Sequence, residues 1–216
     1  MVSRDWYDSG PLEGDNTFSI CYVNAFQTQP DGSGDRLDLY SNWPTAVVNP
    51  DLEDPSWPGE YVIDLSTAEL REIAAEHVQE MLNVCAEKGY QAVEFDNYDS
   101  YDRFVDTGFD ETDAVAYATL LVEQTHALGM AAAQKNAAGL LGYKDAVGFD
   151  FVIVESCGVY DECVQFRDAF AGAMVGIEYS DGAFDTACSE VGDTSAIVRR
   201  DDSVSANGVI NQCGPF

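Results

Sequence analysis

Positively charged residues are scarce in this sequence. Ten lysines and arginines stand against 39 aspartates and glutamates among 216 residues, which gives a formal net charge of −29 at pH 7. A field of this sign repels nucleic acid and anionic lipid, so we expect neither as a partner. Two explanations of the charge stay open. One is a solvated acidic surface suited to high salt, where self-repulsion is screened, and the other is attraction of a cationic ligand.

The usual marks of metal, cofactor and membrane proteins are missing as well. There is no C-x-x-C pair, and the two histidines, His77 and His126, fall in predicted helices, which argues against a zinc site. No apolar run reaches the length of a transmembrane helix, so we expect no membrane insertion. No phosphate-binding loop is present either, and we expect no cofactor.

Six cysteines form an even set that suits an exported protein. Cys157 and Cys163 bound a loop short enough to close, and a bond between Cys188 and Cys213 would hold the C-terminal tail. Cys21 and Cys85 are equally well explained as buried thiols. We therefore expect a secreted monomer whose export signal is not part of this sequence.

Hydrophobic residues make up 46% of the chain and aromatic residues 12%, which is enough for a folded core. The length suits one domain over residues 1–216, with residues 1–16 as a loose lead-in. Five of the seven prolines fall between Gln27 and Gly59, which predicts a long loop there. Trp43 and Trp57 lie in this loop, and each fits a wall for a sugar ring or a lid over the core equally well.

Apolar segments alternate with amphipathic ones along the rest of the chain, a rhythm typical of parallel sheets. The fold class predicted is α/β, a TIM-type (β/α)8 barrel that is incomplete or modified at the N-terminus. We predict a helix opened by a Ser66–Glu69 capping box and ending at Gly89, and another that Thr112 caps. Seven strands are predicted at 17–23, 60–65, 91–99, 130–134, 150–155, 173–179 and 195–199, and residues 45–49 would make an eighth.

Two of these strands end in a single carboxylate. Residues 91–99 lead to Asp96, and residues 150–155 lead to Glu155. In an α/β barrel the carboxyl ends of all strands open onto one face, where functional groups gather. One strand separates the two, so their backbones would lie about 9 to 10 Å apart, and their side chains could approach the spacing of a glycosidase pair.

Other polar residues at predicted strand ends have a functional and a structural interpretation. An isolated acid such as Asp64 or Glu178 also fits a helix cap or an ion-pair partner. Lys135 fits a counter-ion to the acids or a ligand contact equally well. Calcium binding by Asp96, Asp99 and Asp102 is a weaker alternative, because their spacing lacks the EF-hand pattern.

An ordered series of short motifs resembles glycoside hydrolase family 114, the endo-α-1,4-polygalactosaminidase family. The motifs are I-C-Y-V at 20–23, W-P-G-E-Y-V-I-D at 57–64, G-Y-Q-A-V-E-F-D-N-Y-D at 89–99, T-G-F at 107–109, H-A-L-G-M at 126–130, Q-K-N at 134–136, F-D-F-V-I-V-E-S-C at 149–157 and I-E-Y at 177–179. Each motif alone is weak, but their order and spacing together are specific.

The resemblance implies a TIM-type barrel that hydrolyses α-1,4-linked galactosamine polymer and retains the anomeric configuration. It places Asp96 and Glu155 at the catalytic positions, as nucleophile and acid/base. Such a polymer is cationic where it is deacetylated, which suits the acidic composition. The substrate-binding residues expected are Tyr22, Asp64, Asn97, Asp99, Tyr101, Lys135, Asn136, Glu178 and Tyr179.

The sequence departs from the family pattern in three places. The glycine-rich turn expected after the first strand is Asn24-Ala25-Phe26 here. Family members carry a tryptophan-rich strand before I-C-Y-V, and residues 1–16 show no good equivalent. Ser156 stands where a second acid is common. A barrel that binds amino-sugar polymer without cutting it is therefore the alternative function.

Overall fold

The computed structural model describes residues 1–12, 17–29 and 43–215. Its strands are β1 Val2–Asp5, β2 Ser19–Asn24, β3 Val48–Glu53, β4 Tyr61–Ile63, β5 Ala92–Asp96, β6 Ala131–Lys135, β7 Phe151–Glu155, β8 Met174–Glu178, β9 Ala196–Arg200 and β10 Ile210–Cys213. Its α-helices are α1 Ala68–Lys88, α2 Ser100–Arg103, α3 Glu111–Ala127, α4 Lys144–Val147, α5 Cys157–Tyr160, α6 Cys163–Ala169 and α7 Asp181–Val191, and a 3-10 helix spans Ala138–Tyr143. Part of the predicted loop, residues 30–42, lies outside the described residues.

The strands follow the order β1-β2-β5-β6-β7-β8-β9-β10 in an eight-stranded, mainly parallel sheet. Helices follow β5, β7 and β8 directly in the chain, as expected of an α/β fold. The α/β class and the incomplete TIM-type topology are confirmed. Two compact units share this chain: a first unit of Met1–Ala133 with Tyr143–Phe149, and a second unit of Gln134–Gly142 with Asp150–Phe216. A single domain stays a prediction.

The parallel pairing of β1, β2 and β5 organises the first unit. Strand β2 pairs with β5 from Ile20↔Ala92 to Asn24↔Asp96, so the polar ends of the two strands lie side by side. Strand β1 pairs with β2 on the other side. The prediction of a loose lead-in is therefore wrong for Val2–Asp5. Trp6 follows β1 directly and is buried, so a strand followed by a single tryptophan precedes I-C-Y-V.

Strands β3 and β4 form a separate two-stranded antiparallel sheet. The sequence predicted strands at 45–49 and 60–65 as members of the barrel. Both segments contain strand residues, but β3 begins later, at Val48, and β4 pairs with β3 instead of the main sheet. Asp64 therefore does not end a strand of the eight-stranded sheet.

Long helices α1 and α3 pack together in the first unit. Helix α1 buries a stripe of apolar residues and ends at Gly89, whose φ of 87° requires the left-handed conformation that glycine adopts freely. Its N-cap is Thr67, whose side chain accepts from the Leu70 amide, in place of the predicted Ser66. Asp110 caps α3 in a capping box with Asp113, in place of the predicted Thr112.

In the second unit, β7, β8 and β9 are parallel, and β10 returns antiparallel to β9. Helix α7 lies against β8, β9 and the short helices α5 and α6. A Cβ on Gly176 in β8 would come within 2.6 Å of Ile197 Cδ1 in β9, so a larger residue there would require the end of the Ile197 side chain to shift.

All six cysteines form disulfides: Cys21–Cys85, Cys157–Cys163 and Cys188–Cys213. The second and third were anticipated, whereas the interpretation of Cys21 and Cys85 as thiols is wrong. Their bond joins β2 to α1 across 64 residues of sequence. Among the helices of the described residues, none is long and apolar enough to cross a membrane.

Replacing both Cys21 and Cys85 with alanine should lower the free energy of unfolding by about 4 kcal/mol, because a 64-residue crosslink strongly restricts the unfolded chain. Urea denaturation without reductant measures this loss. The matched control is the Cys157→Ala, Cys163→Ala pair, whose six-residue separation predicts a loss of about 2 kcal/mol. Equal losses in the two pairs would contradict the loop-entropy explanation.

Candidate active-site residues

Asp96 ends β5 in the first unit, and a tyrosine holds it in place. The Tyr22 hydroxyl donates a hydrogen bond of 2.6 Å to Asp96 Oδ2. Burial, reinforced by the Asp96 charge, raises the pKa of Tyr22 well above its usual value. The hydroxyl therefore keeps its proton and remains a donor to the carboxylate at all working pH values.

Glu94 lies on the same face of β5 as Asp96, but its side chain makes a structural contact. Glu94 is buried and accepts a 2.5 Å hydrogen bond from the Ser3 hydroxyl of β1. Asp96 is partly exposed, as a group that meets substrate must be. Of the two acids on β5, Asp96 is thus the one available for chemistry.

A chain of polar side chains surrounds Asp96 in the first unit. Arg103 donates to Asn97 Oδ1 at 2.6 Å, and Asn97 donates to Asn24 Oδ1 at 2.9 Å. Asn24 in turn donates to Glu60 Oε2 at 3.0 Å. Arg103 also pairs with the buried Asp54 at 2.9 Å. These five residues, Asn24, Asp54, Glu60, Asn97 and Arg103, are called the Arg103–Glu60 chain below.

Two predicted ligand residues of the first unit, Asp99 and Asp64, have local partners. Asp99 forms an ion pair with Arg103 at 3.5 Å, and burial raises its pKa, with Arg103 opposing and Asp96 adding to the rise. Asp64 accepts from the Ser66 amide at 2.9 Å, and because Thr67 is the N-cap of α1, Asp64 is not the helix cap that the structural interpretation offered. Tyr101 is partly exposed on α2. Contact of these residues with substrate stays a prediction.

Glu155 ends β7 in the second unit and is also held by a tyrosine. The Tyr179 hydroxyl donates a short hydrogen bond to Glu155 Oε1. Lys135, which is almost fully buried, lies 3.5 Å from Glu155 Oε2. Asn136 Oδ1 accepts from the Glu155 amide at 2.8 Å and so fixes the end of the strand. Lys135 is therefore a counter-ion to Glu155, in accord with the structural interpretation of this lysine.

Left-handed backbone follows three of the polar strand ends. Asn97 comes after Asp96, Asn136 after Lys135 and Ser156 after Glu155, with φ angles of 66°, 47° and 59°. Non-glycine residues adopt this conformation at a cost, and such residues concentrate at functional sites. In each case the turn stops the strand directly beyond the candidate side chain.

Glu178 does not fit the predicted contact with substrate. Its side chain is fully buried and accepts from the Gly158 amide at 2.7 Å, which supports the start of α5. Burial raises its pKa, as expected for a carboxyl away from water. Glu178, Cys157 and Cys163 are the possible metal-ligand group found among the described residues. Because the two sulfurs form a disulfide, one carboxylate remains as a ligand.

The two loop tryptophans have different environments. Trp43 is 5% exposed, and its ring lies 4.5 Å from that of His77, so it covers the core. Trp57 is 63% exposed on the turn that leads to Glu60. The prediction that Trp57 forms a wall for a sugar ring stays a prediction.

Sequence reasoning did not single out four members of the Arg103–Glu60 chain: Asn24, Glu60, Asp54 and Arg103. Asn24 follows I-C-Y-V, and Glu60 is within W-P-G-E-Y-V-I-D, so the motifs contain a usable signal. Asp54 and Arg103 carry no such sequence signal, because Asp54 lies in the β3–β4 turn and Arg103 in a four-residue helix, outside the motifs.

Comparisons with known proteins agree with this description. The sequence matches the model described as "Glycoside-hydrolase family GH114" over residues 2–215. Of the curated proteins, none matches it significantly.

Similar solved structures include the Aspergillus fumigatus protein Ega3 in complex with galactosamine, with a TM-score of 0.72 and 21% identity over 90% of this chain and 78% of that one. They also include the glycoside hydrolase domain of PelA from Pseudomonas aeruginosa, with a TM-score of 0.65 and 16% identity over 89% of this chain and 81% of that one. At these identities the likeness shows a shared fold.

Proposed function

The chain belongs to glycoside hydrolase family GH114 and is a glycoside hydrolase, and from that premise we propose that it cleaves α-1,4-linked galactosamine polymer at internal bonds. The observation that carries the proposal is the matched support of two carboxylates. Asp96 and Glu155 each end a strand of the main sheet, and each accepts a hydrogen bond from a tyrosine.

In the proposed mechanism Asp96 is the nucleophile. Its carboxylate attacks the anomeric carbon, and the bond to the leaving oxygen breaks as Glu155 gives that oxygen a proton. Water then attacks the resulting ester, Glu155 takes a proton from the water, and Asp96 leaves as a carboxylate. Two displacements at one carbon retain its configuration.

The supporting side chains fit these roles. Tyr22 stabilises charge on Asp96 by donating to it, both before attack and when the ester breaks. Lys135 lies 3.5 Å from Glu155 Oε2, and the Tyr179 hydroxyl donates to Glu155 Oε1, so these two side chains hold the carboxyl in place.

An amino sugar suits the charge of this protein. The Ega3 structure was determined with galactosamine, and a galactosamine polymer with free amino groups is cationic. A net charge of −29 attracts such a polymer over long distances at low salt. Asn97, Asp99, Tyr101 and Asn136 are proposed to contact its hydroxyl and amino groups.

Secretion is proposed from the disulfides. Three disulfide bonds form and persist most readily in an oxidising compartment outside the cytosol. The motive for a non-catalytic, polymer-binding barrel was a missing strand before I-C-Y-V. Strand β1 with Trp6 supplies that strand and weakens this alternative.

Digestion of defined polymers tests the proposal. Incubation with α-1,4-linked galactosamine polymer should release new reducing ends as a ladder of oligomers, which internal cleavage produces. The fully N-acetylated polymer and β-1,4-linked glucosamine polymer serve as controls for charge and linkage. Binding measured by calorimetry without any new reducing ends would contradict hydrolysis and favour the non-catalytic alternative.

A further inference from the structure

Glu60 is a buried carboxyl to which the proposed mechanism gives no role. It precedes β4, and its backbone joins the β3–β4 turn by accepting from the Asp54 amide and donating to the Trp57 carbonyl. Its side chain turns away from that hairpin to Asn24 at the end of β2. Asn24 is the register partner of Asp96, so Glu60 reaches the same strand ends as the proposed nucleophile.

Charged groups from several elements face Glu60. Asp96 of β5 and Asp54 of the β3–β4 turn disfavour a negative charge on it, and Arg103 of α2 favours one. A negative charge on Glu60 also contributes to the raised pKa of Tyr22 in β2. Two acids oppose one cation that is already paired with Asp54, so the surroundings favour a neutral Glu60.

The Glu60 carboxyl has a single hydrogen-bond donor within the described part of the chain, Asn24 Nδ2 at 3.0 Å. One donor on a buried carboxyl is far from the set of donors that a buried carboxylate needs. Burial first of all, and then Asp96 and Asp54, raise the pKa of Glu60 from 4.5 to about 7, against the lowering effect of Asn24.

We propose that Glu60 is a positioning residue that takes up the proton of the Glu60–Asp96 pair, so that Asp96 alone carries the negative charge during the reaction. When two carboxyls lie near one another, the more buried one binds a proton first. Asp96 accepts from the Tyr22 hydroxyl and is partly exposed to water, so it is the carboxyl of the two with support for a negative charge.

This role rests on the proposed function of Asp96 as nucleophile. In the second displacement Asp96 must leave the sugar as a carboxylate, and an ionised Glu60 beside it would oppose the returning charge. Turnover should therefore fall as Glu60 loses its proton, above pH 7.

Glu60→Gln tests the proposal. Glutamine keeps the oxygen that accepts from Asn24 but never ionises, so it imitates the protonated glutamate at every pH. Below pH 7 its kcat should stay within about threefold of the parent, and above pH 7 it should exceed the parent, which loses up to tenfold per pH unit. Asp51→Asn removes an exposed acid from β3 and is the matched control, with the parent's pH profile expected.

Asn24→Ala supplies a second, graded test. Removing the donor disfavours ionised Glu60 further, so the alkaline fall in kcat should move to higher pH, whatever the variant's absolute activity. The proposal is overturned if Glu60→Gln keeps the parent's alkaline fall, or if Asn24→Ala moves that fall to lower pH. A parent protein that releases no reducing ends would instead refute the proposed function.

Stability gives a readout that needs no substrate. Because folding raises the pKa of Glu60, the native state binds the proton more tightly, and the parent loses stability as pH rises from 4.5 to 7. The urea midpoint of Glu60→Gln should lack this part of the fall. Identical pH dependence of the parent and Glu60→Gln midpoints would show that Glu60 does not titrate in this range.

Discussion

Asp96→Asn should lower kcat on galactosamine polymer by about 10⁴-fold or more while leaving the fold unchanged. Asparagine has the shape of aspartate, and its Oδ1 can still accept from the Tyr22 hydroxyl. It has no charge with which to attack the anomeric carbon, and the first displacement is lost. Reducing-end release under saturating substrate measures the effect, and thermal unfolding confirms the fold.

Two further variants make the role of Asp96 specific. Asp102→Asn removes an exposed acid on α2 and should leave kcat within about twofold of the parent, since surface substitutions have small effects. Asp96→Ala opens space for azide, which would attack from the vacated side of an α-linked substrate and give a β-glycosyl azide. Full activity of Asp96→Asn, or an α-glycosyl azide from Asp96→Ala, would rule out Asp96 as the nucleophile.

Local sequence patterns were enough to predict the elements that carry the two acids. Residues 91–99 and 150–155 contain β5 and β7, and Asp96 and Glu155 are the last residues of those strands. An apolar run that ends in one carboxylate encodes both the strand and its functional end. The end of α1 at Gly89 could also be predicted, because glycine adopts the left-handed conformation of this position more easily than any other residue.

The same patterns did not predict which strands pair or which cysteines form disulfides. Residues 60–65 look like a sheet strand, and β4 is a strand, but it pairs with β3 outside the main sheet. The bond between Cys21 and Cys85 joins residues 64 positions apart, and neither flanking sequence shows it. Val2–Asp5 has a polar composition and becomes a strand because β2 offers it an edge.

The Arg103–Glu60 chain was missed for a related reason. Each of its members has an ordinary interpretation alone: a loop acid, a strand-end amide or a surface arginine. Their function follows from the contacts that bring β2, the β3–β4 turn and α2 to one strand end. The sequence predicted the nucleophile candidate, whereas the groups that control its charge required the fold.

The two acids also differ in what surrounds them. Asp96 lies among other acids and has a neutral donor, Tyr22. Glu155 has a lysine within 3.5 Å in addition to a tyrosine. These two contacts hold the carboxyl of Glu155 in one orientation, as the proposed acid/base role requires in both displacements.

Glu155→Gln should lower kcat by about 10² to 10⁴-fold on polymer, the usual contribution of a general acid. The loss should be far smaller for the first displacement of an aryl galactosaminide, whose leaving group departs without a proton. Asp161→Asn, at an exposed left-handed position after α5, is the matched control and should behave as the parent. Equal losses on polymer and aryl substrate in the first displacement would show that Glu155 does not protonate the leaving group, and the acid/base role would pass to another residue.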